Sequence, residues 1–583
     1  MILSRLKTKA NIPVSLSLKL SRWSVLGIVA LISLQATASA LLWYAQQAKA
    51  YGCVGNGDIT ITTNTTWNTS MCYNDVTIKN NATLTIAGNT IQEMTNLNVG
   101  TTGPRSDGFI IIQGDAQTGK GVEIRANNVV VQSGSIISAD GQGYAAQQGP
   151  GGSATGGGSY AAAGYGGPNV VYGSLVAPIS LGSGGKTTAG GGAIKISIVG
   201  SLTLDGFISA SGIDPSCVPG QATGSGGSVW VDFTAAGSWA GSGYIQANGG
   251  TAYESCSAGV VGGSGGRISV TGYGTRSASA GVGNNAGDFG AGFTGAAGTI
   301  VEKSSSQSQG TLKIHGDSTL PTKLFASDPV FNAYSISARV SVGNGGDFVL
   351  PTATTFDAGE DSFITIADSS NFTVQSGATF SMTGRRYSPP ANPNYIYHRA
   401  QLDISDSNTF TMQGGSVFSM TTYSIINNLG TGVFDTSGLA TLSITGTLNT
   451  NHAATNRFAT DVTVPYGGLI THPANTTTKQ NWLDLSFTNL TLDSGNFAID
   501  VNGKGYAAGQ GPGGSNTGGG SYAAAGGNGS EVVYGSMTAP TDLGSGGAAG
   551  SGGGAVKITI AGNLVNNSTI TASGSTGGNN CTN

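Results

Sequence analysis

A stretch of about seventy residues is written twice in this chain, and nothing else in the sequence limits the fold as strongly. GQGYAAQQGPGGSATGGGSYAAAGYGGPNVVYGSLVAPISLGSGG starts at Gly141, and GKGYAAGQGPGGSNTGGGSYAAAGGNGSEVVYGSMTAPTDLGSGG starts at Gly503. Gly143 matches Gly505, Tyr172 matches Tyr534 and Leu181 matches Leu543, each 362 residues on. A displacement held without a gap marks a duplicated module, and repeats of a module point to a structure that grows by stacking. Tyr144, Tyr160, Tyr172 and Leu181 recur as Tyr506, Tyr522, Tyr534 and Leu543. Anchors of that kind predict an ordered compact loop rather than a flexible linker. No three-residue period runs through the glycines, which excludes collagen.

Each copy leads into a strand pattern. GGGAIKISI, GSGGSVWVDF and GGSGGRISV begin their apolar alternation at Ile194, Val229 and Ile268, spaced by 35 and 39 residues. The first two are followed by a second short strand, GFISASG and GYIQANGG. A glycine turn and an alternating strand recurring at this spacing predict the coils of a β-solenoid. Farther on, FITIADSSNFTVQSGATFSM from Phe363 matches QLDISDSNTFTMQGGSVFSM from Gln401, a displacement of 38. Ile364, Ile366, Phe372 and Val374 pair with Leu402, Ile404, Phe410 and Met412 and are predicted core ladders. Thirty-eight residues are read here as two coils of a parallel β-helix. No helical apolar period of useful length follows residue 50, so the expected class is all-β.

The first fifty residues are different. Arg5, Lys7, Lys9, Lys19 and Arg22 precede an uncharged run from Trp23 to Ala48, with small-residue cleavage patterns at Ala38-Ser39-Ala40 and Ala48-Lys49-Ala50. A basic segment before an apolar one is the pattern of an export signal. The alternative is a retained anchor, since Trp23 to Ala45 is long enough to span a bilayer. Either way the remainder is expected outside the cytoplasm, and contact with a membrane is expected only through this segment.

Cysteine usage agrees with an oxidising compartment. Cys53 with Cys72, and Cys217 with Cys256, are close enough in sequence to pair as loop staples. Cys581 is left over at a position matching Cys217, which predicts that the sequence stops inside its second module. The expected layout is a leader or anchor (1–50), first coils (51–140) and a glycine-rich loop (141–192). Coils with glycine-led strands (193–300), coils with the 38-residue double-coil repeat (301–502) and a second module (503–583) follow.

Charged residues are only 9% of the chain and the net charge is −4. That gives no support to nucleic-acid binding. General acid–base chemistry needs positioned carboxylates. Asp368 and Asp406 occupy equivalent repeat positions but lie in Asp-Ser-Ser-Asn and Asp-Ser-Asn stretches, where aspartate caps its own turn; Asp140 and Asp500 beside the glycine loops read the same way. The histidines, His315, His398, His452 and His472, show no ligand spacing. No catalytic residue, metal site or cofactor is predicted. The one stretch that stands out chemically is TGRRYSPPANPNYIYHRA, Thr383 to Ala400. Its Arg385, Arg386, Tyr387, Tyr395, Tyr397, His398 and Arg399 are candidate ligand-binding residues, because aromatic rings and guanidinium groups stack on sugars or grip anions. A structural loop covering a coil edge is the plainer alternative.

YGSLVAPISLGSGG and YGSMTAPTDLGSGG, followed by GGGAIKISI or GGGAVKITI and then GGSVWV and GGRISV, resemble large glycine-rich surface proteins of bacteria. The resemblance covers about Gly141 to Gly274 and Gly503 onward. It implies an exported, adhesin-like chain folded as a right-handed parallel β-helix. The function expected is that of a non-enzymatic stalk, adhesin or matrix component whose partners are glycans, matrix or cell-surface components. A carbohydrate-active β-helix enzyme and the passenger of a self-exporting protein are the alternatives.

Overall fold

The computed structural model describes residues 51, 56–103, 106–214, 220–250, 260–277, 281–283, 295–315, 320–325, 328–342, 347–366, 370–387, 396–404, 406–495 and 497–576. The predicted leader, Cys53, Cys217, Cys256, Cys581, Asp368 and Tyr395 lie outside the described residues, as do the side chains of His315, Tyr387, Tyr397 and His398. Among the described residues there is no helix, and therefore none long and apolar enough to cross a membrane. The chain is all-β, built on long parallel sheets.

Alternation explains the strands. In Ala82–Ile86 every second side chain is buried, as the two-residue period of a strand requires, and Val122–Val131 alternates likewise on either side of a shift at Asn127–Asn128. Successive strands then pair in parallel, so like side chains stack. Val76 stands against Leu97, Leu97 against Val129, Val129 against Leu202 and Leu202 against Trp239, all buried. On the outer side Asp75, Asn96, Asn128 and Ser201 form a polar ladder. Asn96 Nδ2 donates to Asp75 Oδ1 at 2.7 Å, Asn128 Nδ2 to Asn96 Oδ1 at 2.9 Å, and Ser201 N to Asn128 Oδ1 at 3.0 Å. The glycine-led strands pair directly, Val229 with Ile194 on one side and with Ile268 on the other. Their followers pair too, Ile208 with Ile245.

Within the long sheets, the direction of pairing is broken at one described hairpin. Thr299–Ser304 and Thr311–His315 run antiparallel near the change from one hydrophobic core, ending at Ile300, to another that gathers Leu175 and the buried residues from Ala297 to Val501. Glu302 sits buried at this corner and bridges Arg276 at 2.9 Å and Lys313 at 2.8 Å. Beyond the hairpin the chain visits three parallel sheets in rotation. Ala333–Ser337, Arg339–Val342 and Phe348–Leu350 each receive a partner from the next circuit, in Thr355–Ala358, Phe363–Ile366 and Asn371–Val374.

That rotation corrects the reading of the 38-residue repeat as two coils. Ile364 pairs directly with Leu402, Phe372 with Phe410, Val374 with Met412 and Met382 with Met420. Thirty-eight residues are therefore one circuit, not two. Phe363–Ile366, Asn371–Val374 and Thr379–Met382 already supply one strand to each of the three sheets. The neighbouring step, Phe356 to Phe380, takes only 24 residues, so the surplus is the Thr383–Ala400 excursion. The ladder positions themselves are as expected: Ile364, Ile366, Phe372 and Val374 are all buried.

The glycine segments are long excursions within single circuits. Val122 pairs with Ile194 and Leu483 with Val556, across 72 and 73 residues. Both excursions carry the same internal bonds. Tyr172 Oη donates to Leu181 O, as Tyr534 Oη does to Leu543 O. Gly151 N donates to Ser183 Oγ at 2.9 Å, and Gly513 N to Ser545 Oγ at 2.9 Å. Tyr160 packs on Tyr172 as Tyr522 packs on Tyr534. The first copy is then covered by further glycine-rich backbone. Gly158 N donates to Thr223 O, Ser225 N to Ser183 O, Ser264 N to Gly158 O and Ala296 N to Ala163 O. Backbone lies against backbone, and a Cβ on Gly263 would come within 2.2 Å of Gly224 O. Side chains are excluded there by space.

His472 lies fully buried beneath the second glycine segment. Its Nδ1 is 2.8 Å from Pro473 O, while Nε2 has no partner. Burial lowers its pKa from the ordinary 6.5, the Pro473 carbonyl opposes this, and Lys504 adds to it. The unfolded chain therefore takes up the proton first as pH falls. Stability is fully present above about 6.5 and declines as pH drops toward the folded-state pKa. His452, lowered by burial and by Lys479, adds the same sign. Denaturant midpoints at pH 7.5 and pH 5 are expected to fall with acid, and His472→Gln is expected to flatten that slope.

Candidate functional site

The stretch singled out by sequence forms a two-stranded antiparallel hairpin, Arg385–Tyr387 with Ile396–His398, pairing Arg385 with His398 and Arg386 with Tyr397. It leaves the sheets between Thr379–Met382 and Gln401–Ile404. Arg385 Nε reaches Glu360 Oε1 at 3.1 Å with most of its side chain in solvent. Arg386 and Arg399 are exposed. The hairpin thus carries exposed arginines at its base, where it leaves the sheets.

A second surface was not singled out by sequence. Parallel register lines up Ile91, Glu123, Lys195 and Trp230 on the outer side of four successive strands. Trp230 lies between buried Val229 and Val231, so strand alternation alone turns it outward. Ile179 and Lys120 close one side and leave a groove of about 250 Å³. The Lys195 ammonium stands 4.4 Å over the Trp230 ring. Glu123 receives Arg125 at 3.0 Å and Lys195 at 3.0 Å. Burial would raise the Glu123 pKa, but these two partners hold it below the usual carboxylate range. Trp230 Nε1 donates to Thr271 Oγ1 at 3.2 Å, and Thr271 Oγ1 donates to Asp232 Oδ1 at 3.0 Å, which fixes the ring. An indole face held rigid beside paired charges can stack a sugar ring and hydrogen-bond its hydroxyls.

The carboxylates weighed for catalysis do other work. Asp140 Oδ1 accepts from Ser211 N at 2.6 Å, and Asp406 Oδ1 from Thr431 N at 2.6 Å. Both brace the turn of the next circuit, not their own turn as the sequence suggested. Asp500 does cap its own turn, accepting from Asn502 N at 2.8 Å. Asp205 with Ser242 and Asp347 with Asn371 repeat the cross-circuit bond. Among the described residues no three His, Cys, Asp or Glu side chains gather as metal ligands. Cys72 stands on Met71–Ile78.

No protein-family model matches this chain, and no curated protein matches it significantly. The fold and these surfaces therefore define a class only: an all-β chain of repeated parallel strands with aromatic and cationic patches on its outer side.

Proposed function

We propose that this protein is a non-enzymatic, secreted or cell-surface β-solenoid, wound as a right-handed parallel β-helix, that serves as a stalk, adhesin or matrix component. The observation that carries this reading is the allocation of polar side chains. Asp140, Asp205, Asp347, Asp406 and Asn128 are committed to bonds between successive circuits, while the outward Trp230–Lys195 groove is left to contact something else. Rotation of the chain through three parallel sheets fits a winding of this kind. The leader is its export signal, and Cys53–Cys72 and Cys217–Cys256 are its staples in an oxidising compartment. Its partners are glycans or matrix components, held at the groove and by the arginines of the Arg385–Arg399 hairpin.

A glycan array probed with the purified protein tests the reading. Binding is expected to survive in the wild type and to fall at least tenfold in Trp230→Ala, with replacement of residues 385–399 by a glycine–serine link weakening it less. Release of reducing ends from any bound polysaccharide would overturn the non-enzymatic reading. Array binding untouched by either change would overturn the two surfaces.

A further inference from the structure

Arg267 is 4% exposed and makes no salt bridge among the described residues. Its Nε donates to Tyr172 O at 3.1 Å and its Nη1 to Thr299 Oγ1 at 3.3 Å, and the guanidinium stands 5.5 Å from the Tyr160 ring centroid. A guanidinium carries five N–H donors, so three remain uncommitted: one on Nη1 and both on Nη2. Keeping a cation out of water without a paired anion is costly. Tyr172 and Tyr160 belong to the glycine segment, so this residue ties the segment to the sheets.

Arg267 also lines a cavity of about 230 Å³, bounded by Tyr172, Leu175, Lys323, Phe325 and Asp328. At about 30 Å³ per water, that is room for about eight waters, the scale of one monosaccharide. Across it, Asp328 Oδ2 accepts from Phe325 N at 2.8 Å. The wall therefore offers a guanidinium with free N–H groups, a second cation at Lys323, and a carboxylate oxygen able to accept from hydroxyls. A dianion would meet Asp328 unfavourably; a monocarboxylate that also carries hydroxyls satisfies both sides.

We infer that the cavity lined by the first glycine segment, Arg267, Lys323, Phe325 and Asp328 binds a single hexuronic acid unit, its carboxylate on Arg267 and Lys323 and its ring hydroxyls toward Asp328. Of the surface-protein reading this asks only that acidic glycans reach the pocket.

Calorimetric titration of the purified protein with D-galacturonate, D-galactose and inorganic phosphate tests it. Galacturonate is expected to bind at least tenfold more tightly than either of the others. Lys323→Met, at the rim, is expected to weaken galacturonate several-fold with an unchanged unfolding midpoint. Arg267→Lys is expected to weaken it at least tenfold, and Asp328→Asn to erode the preference over phosphate. Absence of galacturonate binding, equal binding of galactose, or tighter binding of phosphate overturns the assignment. So does a Lys323→Met variant that binds like the wild type. Array binding dependent on Trp230 would stand through any of those failures, which separates the two proposals.

Discussion

Phe372→Ala is expected to cost about 3–5 kcal/mol, the usual loss when a buried phenylalanine is cut to a methyl. Phe372 is fully buried, and its ring centroid lies 5.3 Å from Phe348, 5.4 Å from Phe356, 5.6 Å from Phe380 and 5.4 Å from Phe410. It touches rings of its own circuit and of the circuits before and after, so one truncation opens a cavity shared by three layers. Each edge-to-face pair adds about 0.5–1.5 kcal/mol beyond burial. Urea denaturation followed by circular dichroism should show a clear fall in midpoint. Val417→Thr, whose side chain is half in solvent, should stay within about 0.5 kcal/mol. Equal effects from the two would show that the aromatic ladder does not hold this region together. Because a stacked structure is stabilised by nearest-neighbour contacts, the loss should be felt first in Phe348–Leu350 and Thr409–Met412, the strands that flank Asn371–Val374 in its sheet.

Much of the ladder was legible in the sequence for a physical reason. A strand buried on one side repeats apolar residues at every second position, and a stacked strand must repeat the same pattern one circuit later. Ile364 with Leu402 and Phe372 with Phe410 could therefore be paired by eye. The length of a circuit was harder to read. Thr383–Ala400 has its own strands and its own apolar residues, and only coordinates separate a hairpin standing off the sheet from a further circuit. The two pockets were less legible still. Trp230 could have been flagged by its outward parity between Val229 and Val231, but Lys195, Glu123 and Ile91 join it only through register across four strands. Arg267 meets Tyr172 from 95 residues away, and no local pattern announces such a contact. The aspartates mislead for the same reason: an aspartate in a turn looks self-capping until the next turn is stacked upon it.

The duplicated glycine segment offers the sharpest test of what stacking adds, because the described residues set a further layer of backbone against the first copy and the same local structure recurs in the second. Gly185 N donates to Thr188 O and Gly185 O accepts from Gln147 N; Gly547 N donates to Gly550 O and Gly547 O accepts from Gly509 N. Neither glycine has a positive φ, so alanine is conformationally allowed at both. They differ in what the described residues place against them. A Cβ on Gly185 would stand 2.1 Å from Thr223 O and 2.4 Å from Thr223 C, both rigid backbone of the next layer. Among the described residues, a Cβ on Gly547 would meet nothing nearer than Gly518 O and Gly520 N, at 3.0 Å, within its own segment. Gly185→Ala must push two backbone layers apart, an overpacking cost of about 1–3 kcal/mol or more, and with it the bonds from Thr187 N to Ala222 O and from Gly191 N to Ser225 O. Gly547→Ala asks for a shift of a few tenths of an ångström, offset by the roughly 0.4–1 kcal/mol that alanine gains by restricting the unfolded chain. Hydrogen exchange should therefore show residues 222–228 losing protection in Gly185→Ala, with residues 544–556 nearly unchanged in Gly547→Ala. Equal losses at the two sites would mean that the glycines serve turns inside the segment. The predicted asymmetry would mean that they are there to admit the backbone of the next layer, which makes the twice-written stretch a stacking surface first and a loop second.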